Sequence, residues 1–161
     1  MAMVMNTEGL TEVSEMLERL GDKAEAVASE ALYEGAGVVA DAFTAAVNRI
    51  RTAPFKYAGP GQTRLPSPEE KAALLGKSGV ARFRKNGSEV DTMVGISGSA
   101  GYADVAGTPK AVRLIARSIN SGTSFMQKQP VFRQAKSRST KAAEAAIVAK
   151  AEELLSETIN S

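Results

Sequence analysis

The side chains that most often do chemistry are scarce in this sequence, and their spacing argues against an active site. Among 161 residues there is neither a cysteine nor a histidine. That removes thiolate chemistry, disulfides, the commonest general base and the commonest transition-metal ligand. Carboxylates remain, but Glu8, Glu12 and Glu15, then Glu30 and Glu34, recur at the spacing of a helix surface. That is a solvated face and not two converging acids. Ser78 follows Lys77, yet neighbours in sequence do not make a nucleophile with a positioned base. The "GKS" at Gly76 to Ser78 has Lys71 where a phosphate-binding loop opens on glycine, and it ends a predicted helix instead of following a strand. Gly95, Gly98 and Gly101 are too evenly spaced for a dinucleotide fingerprint and read as a mobile turn. "NGS" at Asn86 to Ser88 is formally a glycosylation acceptor and reads as coincidence. No catalytic residue, cofactor or metal ligand is expected, and the chain reads as something other than an enzyme.

Charge is the concentrated feature. Residues 1–50 hold nine acids against three bases, and residues 51–161 hold nine acids against seventeen bases. Between Lys110 and Lys141 there are eight Lys or Arg and no acid. One reading is solubility alone. The sharper one is self-complementarity: an acidic and a basic face suit a head-to-tail contact between identical subunits, which closes into a ring if the rotation allows. A third is non-specific DNA binding by segment 110–141, with affinity falling steeply as salt rises. Only Phe125 and Phe132 supply rings there, and no nucleic-acid module is evident.

The elements that must position these charges follow from periodicity. At 43% apolar and 24% charged residues, the chain has the make-up of one soluble globular domain, and the order of its elements gives the α+β class. Leu10, Val13, Leu17 and Leu20 mark a helix over about 10–20, with Thr7 or Thr11 as cap. Gly21 is expected to stop it and Asp22 to cap a second helix over 23–51. That helix carries the stripe Leu32, Ala36, Val39, Phe43, Ala46 and Ile50, and Gly35 and Gly37 with Ala36 and Ala40 offer a flat patch to another backbone. Residues 52–66 read as a loop that is functional, disordered or ordered by a partner. Ser67-Pro68-Glu69-Glu70 starts a short helix over 68–77. A hairpin spans 80–97 around Asn86-Gly87, with Val90, Thr92, Val94 and Ile96 on one face. A flexible loop over 98–109 leads to a helix over 110–120 with Val112, Ile115 and Ile119 inward. A closing helix runs over about 139–159 with Ala143, Ile147, Leu154 and Leu155 on its packing side. Helices around a small antiparallel sheet result. "MAMVMNTEGL" has no signal-peptide character, and no membrane span is expected.

The segment "RLIARSINSGTSFMQKQPVFRQA" is the most distinctive. Gly122 permits a positive φ, Thr123 and Ser124 hold a turn by local hydrogen bonds, and Pro130 restarts the chain as a helix. Phe125, Phe132 and Val131 are expected to anchor it, leaving Arg113, Arg117, Lys128 and Arg133 to face a partner. Together with the opening "EGL", the amphipathic "TEVSEMLERLGDKAEA", the long alanine- and valine-rich helix and the weak hairpin, this segment resembles the tail-completion (neck) family of long-tailed bacteriophages. The motif residues are Gly122, Thr123, Ser124, Pro130, Val131, Phe132, Arg133 and Ala135. The family's "P-x-x-T-G-x-L" is only loosely echoed by "PFKYAGPGQTRL". The resemblance implies a structural virion protein whose fold is similar to tail-terminator and head–tail joining proteins. It implies a ring, commonly a hexamer, at the head–tail junction, from subunits that can be monomeric in solution. Connector, tail-terminator or tail-tube proteins are the implied neighbours, with passing DNA contact. The implied location is the virion neck, after assembly in the host cytoplasm. Loops 52–66 and 98–109 are then expected to order only against neighbouring subunits.

Overall fold

The chain is described by a computed structural model over residues 7–80, 84–86, 89–92, 94–103 and 109–160. Good helix formers without a proline make α1 one unbroken helix, Thr7–Asn48. The expected stop at Gly21 is absent. A glycine ends a helix by turning left-handed, and positive φ is confined to Gly61, Gly98 and Gly122 among the described glycines. The expected face of Leu10, Val13, Leu17 and Leu20 and the caps Thr7, Thr11 and Asp22 lie outside the described side chains.

After the loop, α2 (Pro68–Leu75) opens on a capping box. Ser67 Oγ accepts from the Glu70 N–H at 3.2 Å, and the Glu70 carboxylate accepts from the Ser67 N–H at 2.8 Å. Strands β1 (Ser78–Val80), β2 (Arg84–Asn86), β3 (Glu89–Asp91) and β4 (Val94–Ile96) follow. The expected hairpin is present as two antiparallel ladders, β2–β3 with Asn86 opposite Glu89, and β1–β4 with Val80 opposite Val94. Gly87 and the side chain of Val90 lie outside the described residues.

The expected loop over 98–109 is instead a strand pair. β5 (Ser99–Ala103) runs antiparallel to β6 (Pro109–Ala111), with Ser99 opposite Ala111 and Ala103 opposite Pro109. Small residues let this ladder lie close on the core, where Ala100 is buried. Gly95 and Gly101 sit inside β4 and β5, and only Gly98 between them, at φ 87°, makes a glycine bend. Its carbonyl accepts the first helical N–H of α3 (Val112–Ser121), from Val112 at 3.0 Å.

The last helix, α4 (Val131–Asn160), begins well before the expected 139. Pro130 leaves its own carbonyl to the Gln134 N–H at 3.2 Å, while the Asn120 side chain accepts from the Arg133 N–H at 3.3 Å. With an orphan donor satisfied from another element, the helix starts at once. It packs antiparallel on α1: Phe43 meets Phe132 edge-on at 5.7 Å, Gly35 lies under Ala143 and Ile147, and Glu30 pairs with Lys150 at 3.6 Å. A Cβ on Gly35 would run into Ile147 and stand 3.0 Å from the Ala143 carbonyl, so close approach there requires glycine. Of the two glycines of the expected flat patch, Gly35 receives the chain's own α4 and Gly37 faces open space, while Ala36 beside them is buried.

The core forms where α1 ends. Val47, Ile50, Leu74, Ala100, Val112, Ile115, Ile119 and Met126 are buried together, and Ile96, Val131 and Phe132 pack against them. The inward face of α3 is the one its spacing predicts.

Candidate docking surface

The turn after α3 is built around a backbone shape that only glycine takes without strain. Gly122 has φ 75° and ψ 162°, and its N–H donates to the Ser118 carbonyl at 2.9 Å. A Cβ there would lie 2.9 Å from the Lys128 Cβ and 3.3 Å from its Cα. Gly122→Ala is therefore expected to cost about 2–3 kcal/mol from backbone strain and overpacking. Urea unfolding monitored by circular dichroism measures it. Thr123 closes the turn: its Oγ1 accepts from the N–H of Met126 at 2.9 Å and of Phe125 at 3.3 Å, and its own N–H donates to the Met126 carbonyl at 3.0 Å. Ser124 is exposed and makes no hydrogen bond among the described residues, so the expected pair of hydroxyls reduces to one.

This geometry sends Met126 inward, 2% exposed, and leaves Phe125 47% exposed. The expectation that Phe125 anchors the turn is thus corrected. The Thr123 bonds fix alternate residues to opposite sides, and the longer, unbranched methionine fills the core. Phe132 and Val131 do pack on the core.

Gln129, three residues beyond Met126, is buried although polar. Its amide nitrogen donates to the Arg51 carbonyl at 3.0 Å and its amide oxygen accepts from the Arg51 N–H at 2.9 Å. Its own N–H donates to the Ile119 carbonyl at 2.7 Å. One side chain thus ties the exit of α1 to the entry of α4. Lys71 completes the clasp, its ammonium donating to the Asn48 and Ile50 carbonyls at 2.8 and 3.1 Å, a cation at the negative end of α1.

Loop 52–66 is ordered against its own chain, not left for a neighbour as expected. The Ala53 N–H donates to the Pro66 carbonyl at 3.0 Å. Gly59-Pro60-Gly61-Gln62 turns with the Gln62 N–H on the Gly59 carbonyl at 2.9 Å and Gly61 at φ 73°, the type II arrangement in which proline precedes glycine. Arg64 then forms a parallel bridge with Met126, giving its N–H to the Phe125 carbonyl at 2.8 Å and accepting from the Gln127 N–H at 2.9 Å. Its guanidinium grips Glu70 through two bonds of 2.7 Å. Lys110 adds a contact to the same carboxylate at 3.3 Å. Burial raises the Glu70 pKa, but hydrogen bonds from Arg64 and the Ser67 N–H, with the charges of Arg64 and Lys110, outweigh it, so the carboxyl is lowered from its ordinary 4.5.

On the outside the same arginine lies 4.8 Å from the Phe55 ring centre, and Tyr57 meets Phe55 edge-on at 6.1 Å. Phe55 and Tyr57 are exposed, as is Phe125, whose carbonyl holds the Arg64 backbone. Phe55, Tyr57 and Arg64 form an apolar, cation-backed patch on a rigid base, and Phe125 adds an exposed ring on the segment bonded to the Arg64 backbone. Arg113, Arg117, Lys128 and Arg133 are all exposed, strung along the outside of α3 and the segment that follows. The chain matches no family model, no curated protein and no solved structure.

Among the described residues there is no cluster of three or more acids able to hold a metal ion, and no helix is long and apolar enough to cross a membrane. Sequence reasoning missed Arg64, Glu70, Met126 and Gln129 as organisers. Ser67 and Glu70 were readable as a helix start, and "GPGQ" carried the signal for the type II turn. The Arg64–Met126 and Gln129–Arg51 pairings have no local signal.

Proposed function

We propose that this chain is a structural virion protein of a bacteriophage neck, forming a ring at the head–tail junction during tail completion or attachment. The observation that carries the reading is where the resembling motif falls. Gly122, Thr123, Pro130 and Phe132 shape the connection from α3 to α4 and pack it on α1, the residues between them hold loop 52–66 through the Arg64 backbone, and the four cations of this region stay at the surface. A rigid scaffold presenting exposed rings and charge suits assembly, in which aromatic and arginine side chains contribute most of the contact energy.

Two measurements test it. An antibody to the chain should label virions at the junction of head and tail, and label absent from particles would remove the structural role. Arg117→Glu with Arg133→Glu should leave the monomer folded and reduce joining of tails to filled heads. Each reversed pair removes at least about 1.4 kcal/mol of contact, so infectious titre should fall on the order of a hundredfold. Unchanged titre would sink the assignment of these cations to an interface.

A further inference from the structure

A groove of about 230 Å³ lies between the second half of α1 and the first half of α4. Its floor is small and apolar, with Ala42, Ala46, Val131 and Ala135, and its rims carry Arg49 and Arg138. Both guanidinium groups are exposed, and among the described residues neither meets a carboxylate. A shallow alanine floor between two helices suits a third helix, and the paired cations call for an acidic one.

We propose that this groove receives residues 7–20 of a second copy of the same chain. Segment 7–20 carries four glutamates against one arginine, a net −3, and by helical spacing Glu12 and Glu18 flank the apolar stripe on either side, where the groove's two rims lie, while Glu8 and Glu15 fall opposite it. Leu10, Val13 and Leu17 fall at helical spacing on one face and span about 10 Å, the length of two helical turns. Ala42 to Arg49 and Val131 to Arg138, the two walls, each cover the same rise of about 10 Å. The occupant must come from another molecule. Residues 7–48 are one continuous helix, so position 17 stands about 42 Å from position 45 of its own chain. Donating a helix at one end and accepting it near the other is a heterologous contact, which repeats head to tail and closes into a ring. The contact names the subunit interface of the proposed ring and rests on that reading for its role.

Because the chain has no cysteine, disulfide mapping tests the contact cleanly. One population carries Ala45→Cys on the groove wall. A second, with a mass tag, carries Leu17→Cys, and a control population carries Glu15→Cys on the opposite side of the helix. The populations are mixed in pairs and oxidised, with far-UV circular dichroism confirming that each is folded. The expected result is a 45–17 heterodisulfide at least tenfold more abundant than either homodimer or the 45–15 product. Adding Arg49→Glu and Arg138→Glu to the Ala45→Cys chain should lower its yield by a similar factor. Homodimers alone, equal yields from positions 15 and 17, or no heterodisulfide would overturn the contact. So would an intrachain disulfide in a monomer carrying both Ala45→Cys and Leu17→Cys. Virion label at the junction without the heterodisulfide removes this contact and leaves the neck reading standing; heterodisulfide without label does the reverse.

Discussion

Glu70→Ala is expected to destabilise the protein by about 3–5 kcal/mol, because it strands a buried cation. The Glu70 side chain is 4% exposed and that of Arg64 11%, so neither charge can turn to water without moving the loop. Removing the carboxylate takes away both 2.7 Å bonds from Arg64, the Lys110 contact and the acceptor for the Ser67 N–H that completes the capping box. For a chain of this length the loss corresponds to a fall of roughly 6–20 °C in Tm. Calorimetry reads it directly. Arg64→Met with Glu70→Gln should recover part of the loss, since two neutral partners leave no unpaired charge, and a double-mutant cycle should give a coupling of about 1–3 kcal/mol. Coupling near zero would mean that the pair is solvated and that the loop is held by its backbone bridge alone.

The same carboxylate sets a pH dependence whose sign is fixed. Its folded pKa is lowered below the ordinary 4.5, so the unfolded chain takes up the proton first as pH falls. The stability it contributes is complete above about pH 4.5 and is lost as pH falls through the lower folded value. Urea midpoints of the parent chain and of Glu70→Gln should therefore differ most at neutral pH and converge as pH falls below the ordinary carboxylate range.

Local chemistry made part of this arrangement legible. Val112, Ile115 and Ile119 share a face by spacing alone, and Ser67-Pro68-Glu69-Glu70 starts a helix by capping chemistry internal to four residues. What was not legible is non-local. Gln129 meets Arg51 across 78 positions, and nothing near either residue announces the other. Gly21 shows the converse: a local signal that the helix overrides, because a glycine at ordinary helical φ only weakens it. The short β5–β6 ladder, rich in glycine, alanine and proline, has Tyr102 as its single strand-favouring residue and no β-branched residue, so it carries little of the signal by which strands are recognised. In the docking surface, the exposure of Arg113, Arg117, Lys128 and Arg133 followed from charge. The identity of the anchor did not, because Phe125 and Met126 are adjacent and turn geometry alone decides which one is buried.

That choice makes Met126→Ala and Phe125→Ala a discriminating pair. Met126 is 2% exposed within the main core, and truncating it removes buried apolar atoms and leaves a cavity beneath the Arg64 bridge. The expected loss is about 2–5 kcal/mol, with the spread set by how far Val131 and Phe132 can close the gap. Phe125→Ala should cost well under about 1 kcal/mol of folding stability, because the ring already faces water and its backbone bonds to Arg64 and Thr123 remain. Under the neck role proposed above, its effect should fall on assembly instead, where an exposed ring would supply contact area to a neighbouring subunit or neck protein. Guanidinium unfolding separates the two variants by stability, and head–tail joining in extracts separates them by function. If Phe125→Ala unfolded as readily as Met126→Ala, the turn would be turned over and its aromatic side would belong to the core.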